Sequence, residues 1–186
     1  MDEIAVLARE DVVRAVGETG LDYFRTGEDL RPAQQHAFRR HIDLAKDVDK
    51  ALVIHDRDSH EDVLETLETA GAPERVVFHC FSGDDAMARH CAERGWFLSF
   101  AGPITYKAND SLREALSTVP DELLLVETDA PYLTPVPHRG KPNSPEYVPF
   151  VAAELARQRG TTPEAIGALT GANFESLFRV QLPASA

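Results

Sequence analysis

The chain has 186 residues, 43% of them apolar, with 11 Gly and 12 Pro, an ordinary globular composition long enough for one sizeable core and one domain. Its formal net charge of -12 argues against tight non-specific nucleic-acid binding, which needs clustered cations to displace counterions. A phosphodiester gripped at a metal site stays open, because the ion itself supplies positive charge locally.

Met1-Asp2-Glu3 carries no basic leader and no long apolar stretch follows, so the sequence reads as cytoplasmic. Cys80 and Cys91 give no disulfide framework. The first apolar run, Val12–Val16, predicts a strand running into Gly17-Glu18, with Thr19–Tyr23 as a loop. Pro32 opens a helix to about Val48 with Phe38, Ile42, Ala45 and Val48 on its apolar stripe. The next strand, Ala51–Ile54, ends on His55. Ser59 is placed to cap a helix whose inner face is Val63, Leu64 and Leu67 and which stops at Gly71.

Val76–Phe78 predicts a third strand, ending on His79, and a helix carrying Met87 and Cys91 follows to Gly95. Trp96–Phe100 and Leu123–Val126 are the fourth and fifth strands, with a helix over Ser111–Val119 between them. Glu127-Thr128-Asp129 follows the last strand, and the Pro- and Gly-rich stretch from Pro131 to Pro145 predicts an active-site loop. A helix with Val148, Val151, Ala152 and Leu155 inward ends at Gly160. Thr162-Pro163 begins a short helix, and Phe174, Leu177 and Phe178 face the core from a final one. Strands alternating with helices imply an α/β fold with a parallel sheet, in five strand–helix units.

Four apolar runs thus end on residues able to hold a cation: Glu18, His55, His79 and Asp129. A strand that delivers a carboxylate or imidazole at its C-terminal end is how a (β/α) barrel builds an active site. Imidazole and carboxylate suit Zn, Mn or Fe, with Mg at a carboxylate-rich position. Such an ion would lower the pKa of water from about 15.7 toward 7, and Asp129 would accept the proton. Glu127 is placed either in direct contact with the ion or behind a ligand, orienting it. Arg57, Lys107, Arg139 and Lys141 fall in loops after strands, where phosphate contacts or solvated surface charge are both open to them. Tyr23, Phe81 and Tyr132 are candidates for stacking bases or for packing over the barrel mouth. His36, His41, His60 and His90 fall in helical patterns and are expected on the surface, and period-two alternation turns Cys80 away from His79.

Gly17-Glu18-Thr19-Gly20-Leu21-Asp22-Tyr23, Val53-Ile54-His55-Asp56-Arg57, His79-Cys80-Phe81-Ser82-Gly83 and Glu127-Thr128-Asp129-Ala130-Pro131-Tyr132-Leu133 resemble, in order and spacing, four successive signatures of TatD-family hydrolases. Tyr106-Lys107 and Arg139-Gly140-Lys141-Pro142-Asn143 are similar to that family's loops. The resemblance implies a TIM-barrel, metal-dependent hydrolase: a deoxyribonuclease stimulated by Mg or Mn, often a 3′–5′ exonuclease, or in some members a D-aminoacyl-tRNA deacylase. It implies Glu18 as the ligand shared between two ions, His55 and His79 as ligands of one, and Asp129 as the ligand nearest the attacking water.

The family opens on an Asp-x-His-x-His-type strand and two further strands, for which this sequence has no counterpart. A complete barrel takes about 250 residues, so the expectation is a partial barrel of five of eight units, lacking the first three strands. Of the family's two metal sites, the four ligands here provide for one. Open sheet edges would invite self-association or a separately encoded N-terminal partner. A catalytically impaired remnant serving as an interaction module is the competing expectation.

Overall fold

The computed structural model describes residues 2–183. Five strands form a sheet in the order β1-β2-β3-β4-β5, accompanied by seven α-helices among the described residues. The chain divides into two compact units, one running to Phe78 and including Leu177–Arg179, the other built from His79–Ser176 and the residues after Arg179.

In the first unit a short helix, α1 (Asp2–Leu7), precedes β1 (Ala15–Asp22), α2 (Arg31–Asp47), β2 (Ala51–Arg57), α3 (His60–Ala70) and β3 (Val76–Phe78). All three strands are parallel, and β1 pairs with β2 out to Asp22 opposite Arg57. The predicted strand over Val12–Val16 is therefore displaced, and Thr19–Asp22 is strand where a loop is expected. The cause is a register shift between Val16 and Thr19, an extra residue on β1 after which pairing resumes. Two glycines allow it. A Cβ on Gly17 would lie 2.7 Å from that of Val53, and one on Gly20 would collide with the His55 carbonyl oxygen.

Phe38, Ile42 and Ala45 are buried on α2 as the helical period predicts, and each large side chain so buried contributes about 1.5–3 kcal/mol. Ser59 does not cap α3 with its side chain. Its buried hydroxyl instead donates to the Leu21 carbonyl, 2.8 Å away, tying the start of α3 to the end of β1. Arg75, also buried, donates to Asp49 and to the Leu177 carbonyl.

The second unit contains α4 (Asp85–Glu93), β4 (Phe97–Phe100), α5 (Asp110–Thr118), β5 (Leu124–Val126), α6 (Val148–Arg159) and α7 (Pro163–Phe178), with β4 and β5 parallel. Asp84 caps α4 by accepting from the Met87 N–H at 2.9 Å. Gly160, left-handed at φ 65°, ends α6, and the Thr162 hydroxyl accepts from Ala165 to open α7.

The two predicted C-terminal helices are one continuous helix. Its buried positions are Ile166, Thr170, Asn173 and Leu177, a stripe spaced four, three and four residues apart. Phe174 is 40% exposed, against expectation, because polar Thr170 and Asn173 take the core-facing positions. Asn173 is satisfied there, donating to the Asp121 and Leu124 carbonyls at 2.7 and 2.8 Å. No helix among the described residues is long and apolar enough to cross a membrane.

Candidate metal centre

Glu18 sits in the irregular stretch of β1, His55 lies within β2, and His79 follows the last residue of β3 by one peptide bond. A bulge re-aims the side chain it carries, and here it turns Glu18 toward its neighbours. One oxygen of Glu18 and one ring nitrogen each of His55 and His79 lie within 4.8 Å of one another. Glu18 Oε1 is 3.6 Å from His55 Nδ1. Tetrahedral ligands at roughly 2.1 Å from an ion stand about 3.4 Å apart, so small side-chain adjustments would bring this set onto one centre. A carboxylate and two imidazoles form a donor set that fits a borderline divalent cation and leaves room for water.

Each histidine is also backed by a second carboxylate. Asp22 Oδ2 lies 3.4 Å from His55 Nε2, and its other oxygen accepts from the Arg25 N–H at 2.9 Å. Glu127 Oε1 lies 3.2 Å from His79 Nδ1. Such partners fix the tautomer and orientation of a ligating ring and raise its basicity. Glu127 therefore takes the position of a group behind a ligand, one of its two expected placements. Asp22 is not singled out by the sequence. Its placement follows from the register of β1 on β2, which pairs Gly20 with His55 and so sets Asp22 two residues further along the same strand.

Asp129 does not belong to the three-residue group. It follows β5 in a left-handed conformation, φ 57°, within a tightly held loop. Its carbonyl accepts from the Tyr132 N–H at 2.8 Å, and buried Asn143 donates to the Thr128 and Tyr132 carbonyls, each at 2.6 Å. Asn143 thus latches the Pro131–Pro145 stretch around Asp129, a role its sequence position alone does not reveal.

Among the candidate substrate contacts, Arg57 lies over the Phe24 ring at 3.9 Å and Arg139 over the Tyr106 ring at 4.1 Å. Lys107, Lys141 and Tyr132 are exposed. Phe81 is core, 4% exposed and packed on Phe100, so it cannot stack on a ligand. Tyr23 is half-buried, its hydroxyl donating to Asp62 at 2.5 Å, and burial together with that carboxylate raises its pKa above the ordinary tyrosine value.

Of the four histidines expected on the surface, only His36 is exposed. His41 bonds to the Thr19 hydroxyl at 2.9 Å, His60 to Asp56 at 2.7 Å, and His90 packs beside Trp96. Cys80 lies past the end of β3 at φ 46°, so strand alternation does not govern it.

The profile of the family described as TatD related DNase matches residues 1–179. An uncharacterized metal-dependent hydrolase TatD of Mycobacterium tuberculosis is 46% identical over 180 residues, covering 95% of this chain and 68% of that protein. A Citrobacter rodentium protein named 3′–5′ ssDNA/RNA exonuclease TatD is 36% identical, over 97% of this chain and 71% of its own length. The crystal structure of YjjV, a TatD homologue from Escherichia coli, superposes with a TM-score of 0.89 at 32% identity, covering 97% of this chain and 70% of that one. With the fold, the ligand cluster and these likenesses together, the chain belongs to the TatD-related family of metal-dependent hydrolases.

Proposed function

We propose that this chain hydrolyses phosphodiester bonds at the ends of single-stranded nucleic acid, with a divalent cation held by Glu18, His55 and His79. The observation that carries this reading is the convergence of those three ligand atoms within 4.8 Å. The name of the Citrobacter rodentium relative supports the choice of substrate. A bound Mg, Mn or Zn ion would supply Lewis-acid polarisation of a phosphoryl oxygen and acidify water. Glu127 holds the His79 ring by its Nδ1 edge, so Nε2 would be the atom to ligate the ion. Asp22 steadies His55 from the opposite edge to Glu18. Asp129 accepts the proton of the attacking water, and Arg139 and Lys141 contact substrate phosphates, with Lys107 and Tyr132 beside them.

The test is degradation of end-labelled single-stranded DNA by the purified chain with Mg, Mn or Zn, beside an aminoacyl ester and a His79→Ala control. Metal-stimulated release of nucleotides that disappears in the control supports the reading. Cleavage of the ester alone moves the assignment to a deacylase. Inertness toward both would overturn the reading.

A further inference from the structure

We propose that Phe24 and Arg57 form a stacking platform for one base of a single-stranded substrate, beside the Glu18–His55 part of the metal centre; this rests on the phosphodiesterase reading. Asp22 and Arg57 are paired at the ends of β1 and β2, and the Tyr23 N–H donates to the Arg57 carbonyl at 2.9 Å, carrying the pairing one residue further. Two-residue alternation puts Arg57 on the same side of β2 as His55, about 6.6 Å further along the strand. The platform therefore stands roughly one residue pair beyond the ligands, on the face that carries them.

Phe24 is 61% exposed, yet it is not a stray apolar group. The Arg57 guanidinium lies 3.9 Å from its ring centroid. A flat cation fixed on an aromatic face leaves most of the ring to solvent and keeps its in-plane N–H donors for a phosphate. Every base has a π-face, so such a surface binds single strands with little regard to sequence.

Arg31 lies 4.1 Å over the Tyr23 ring, whose hydroxyl donates to Asp62, so cations and carboxylates share this corner and the platform rests on the stacked Phe24–Arg57 pair itself.

The experiment is equilibrium binding, followed by fluorescence anisotropy in EDTA, of a labelled oligothymidylate and of an abasic deoxyribose-phosphate oligomer of the same length. Wild-type protein should prefer the base-bearing strand by about tenfold. Phe24→Leu, which keeps the apolar bulk and loses the ring, should bring that preference to about one without changing affinity for the abasic strand. Arg57→Lys should weaken the preference, and Arg57→Ala should weaken binding of both strands. A wild-type protein without the preference, or a Phe24→Leu variant that keeps it, would overturn the proposal. Hydrolysis is scored separately on wild type. Cleavage of DNA with no Phe24-dependent preference would sink the platform and leave the enzyme. The preference without cleavage would sink the enzyme and leave the platform.

Discussion

Glu127 Oε1 stands 3.2 Å from Nδ1 of His79, so a carboxylate from the end of β5 orients the imidazole that follows β3. Replacing Glu127 with Gln keeps the shape and removes the charge. Metal affinity or turnover should fall about 10- to 100-fold with unchanged circular dichroism. Calorimetric titration with Mn would check it, and an unaltered Kd would show that the contact orients nothing.

His55→Ala and His79→Ala each remove one of three converging donors. Metal-stimulated turnover should vanish in both, since two remaining ligands do not hold a borderline cation against water. Metal content after dialysis, measured on the same preparations, should drop with the activity; retention of the ion by either variant would displace that histidine from the centre.

Gly20→Ala sets a methyl group against the His55 carbonyl at φ 145°. The β1–β2 pairing must give way, at a cost of about 2–4 kcal/mol. Gly95→Ala is the control: its φ is 69° but no atom lies within 4 Å, so only the left-handed strain of about 1–2 kcal/mol applies. Urea midpoints of the two variants should separate clearly.

Burial lowers the pKa of His41 below the ordinary histidine value, outweighing the hydrogen bond to the Ala37 carbonyl that raises it. The unfolded chain then binds a proton more readily than the folded one. The stabilisation is complete above the unfolded value of about 6.5 and is lost as pH falls toward the folded one. Denaturation midpoints measured from neutral to mildly acidic pH should fall more steeply for wild type than for His41→Gln. Parallel curves would remove His41 from the acid response.

Asn173→Ala should cost about 1–3 kcal/mol, because two carbonyls, those of Asp121 and Leu124, lose their donor in a buried place. Thermal unfolding would show the loss, and Ala172→Ser, at an exposed neighbouring position, should leave the transition where it is.

Sequence alone determined the five strands in their order with helices between them, the stripe of α2, and the residue types of Glu18, His55 and His79 at or near the strand ends. Those follow from periodicity and residue type, which are local properties of the chain. Its reach ended where partners are distant in sequence. The bulge that aims Glu18 depends on which residues of β2 lie opposite, and the carboxylates behind His55 and His79 come from 33 and 48 residues away. Phe174 left its expected core position, and Asn173 beside it is buried, for the same reason. A local pattern ranks side chains by polarity, whereas the fold decides which polar group finds buried carbonyls to satisfy.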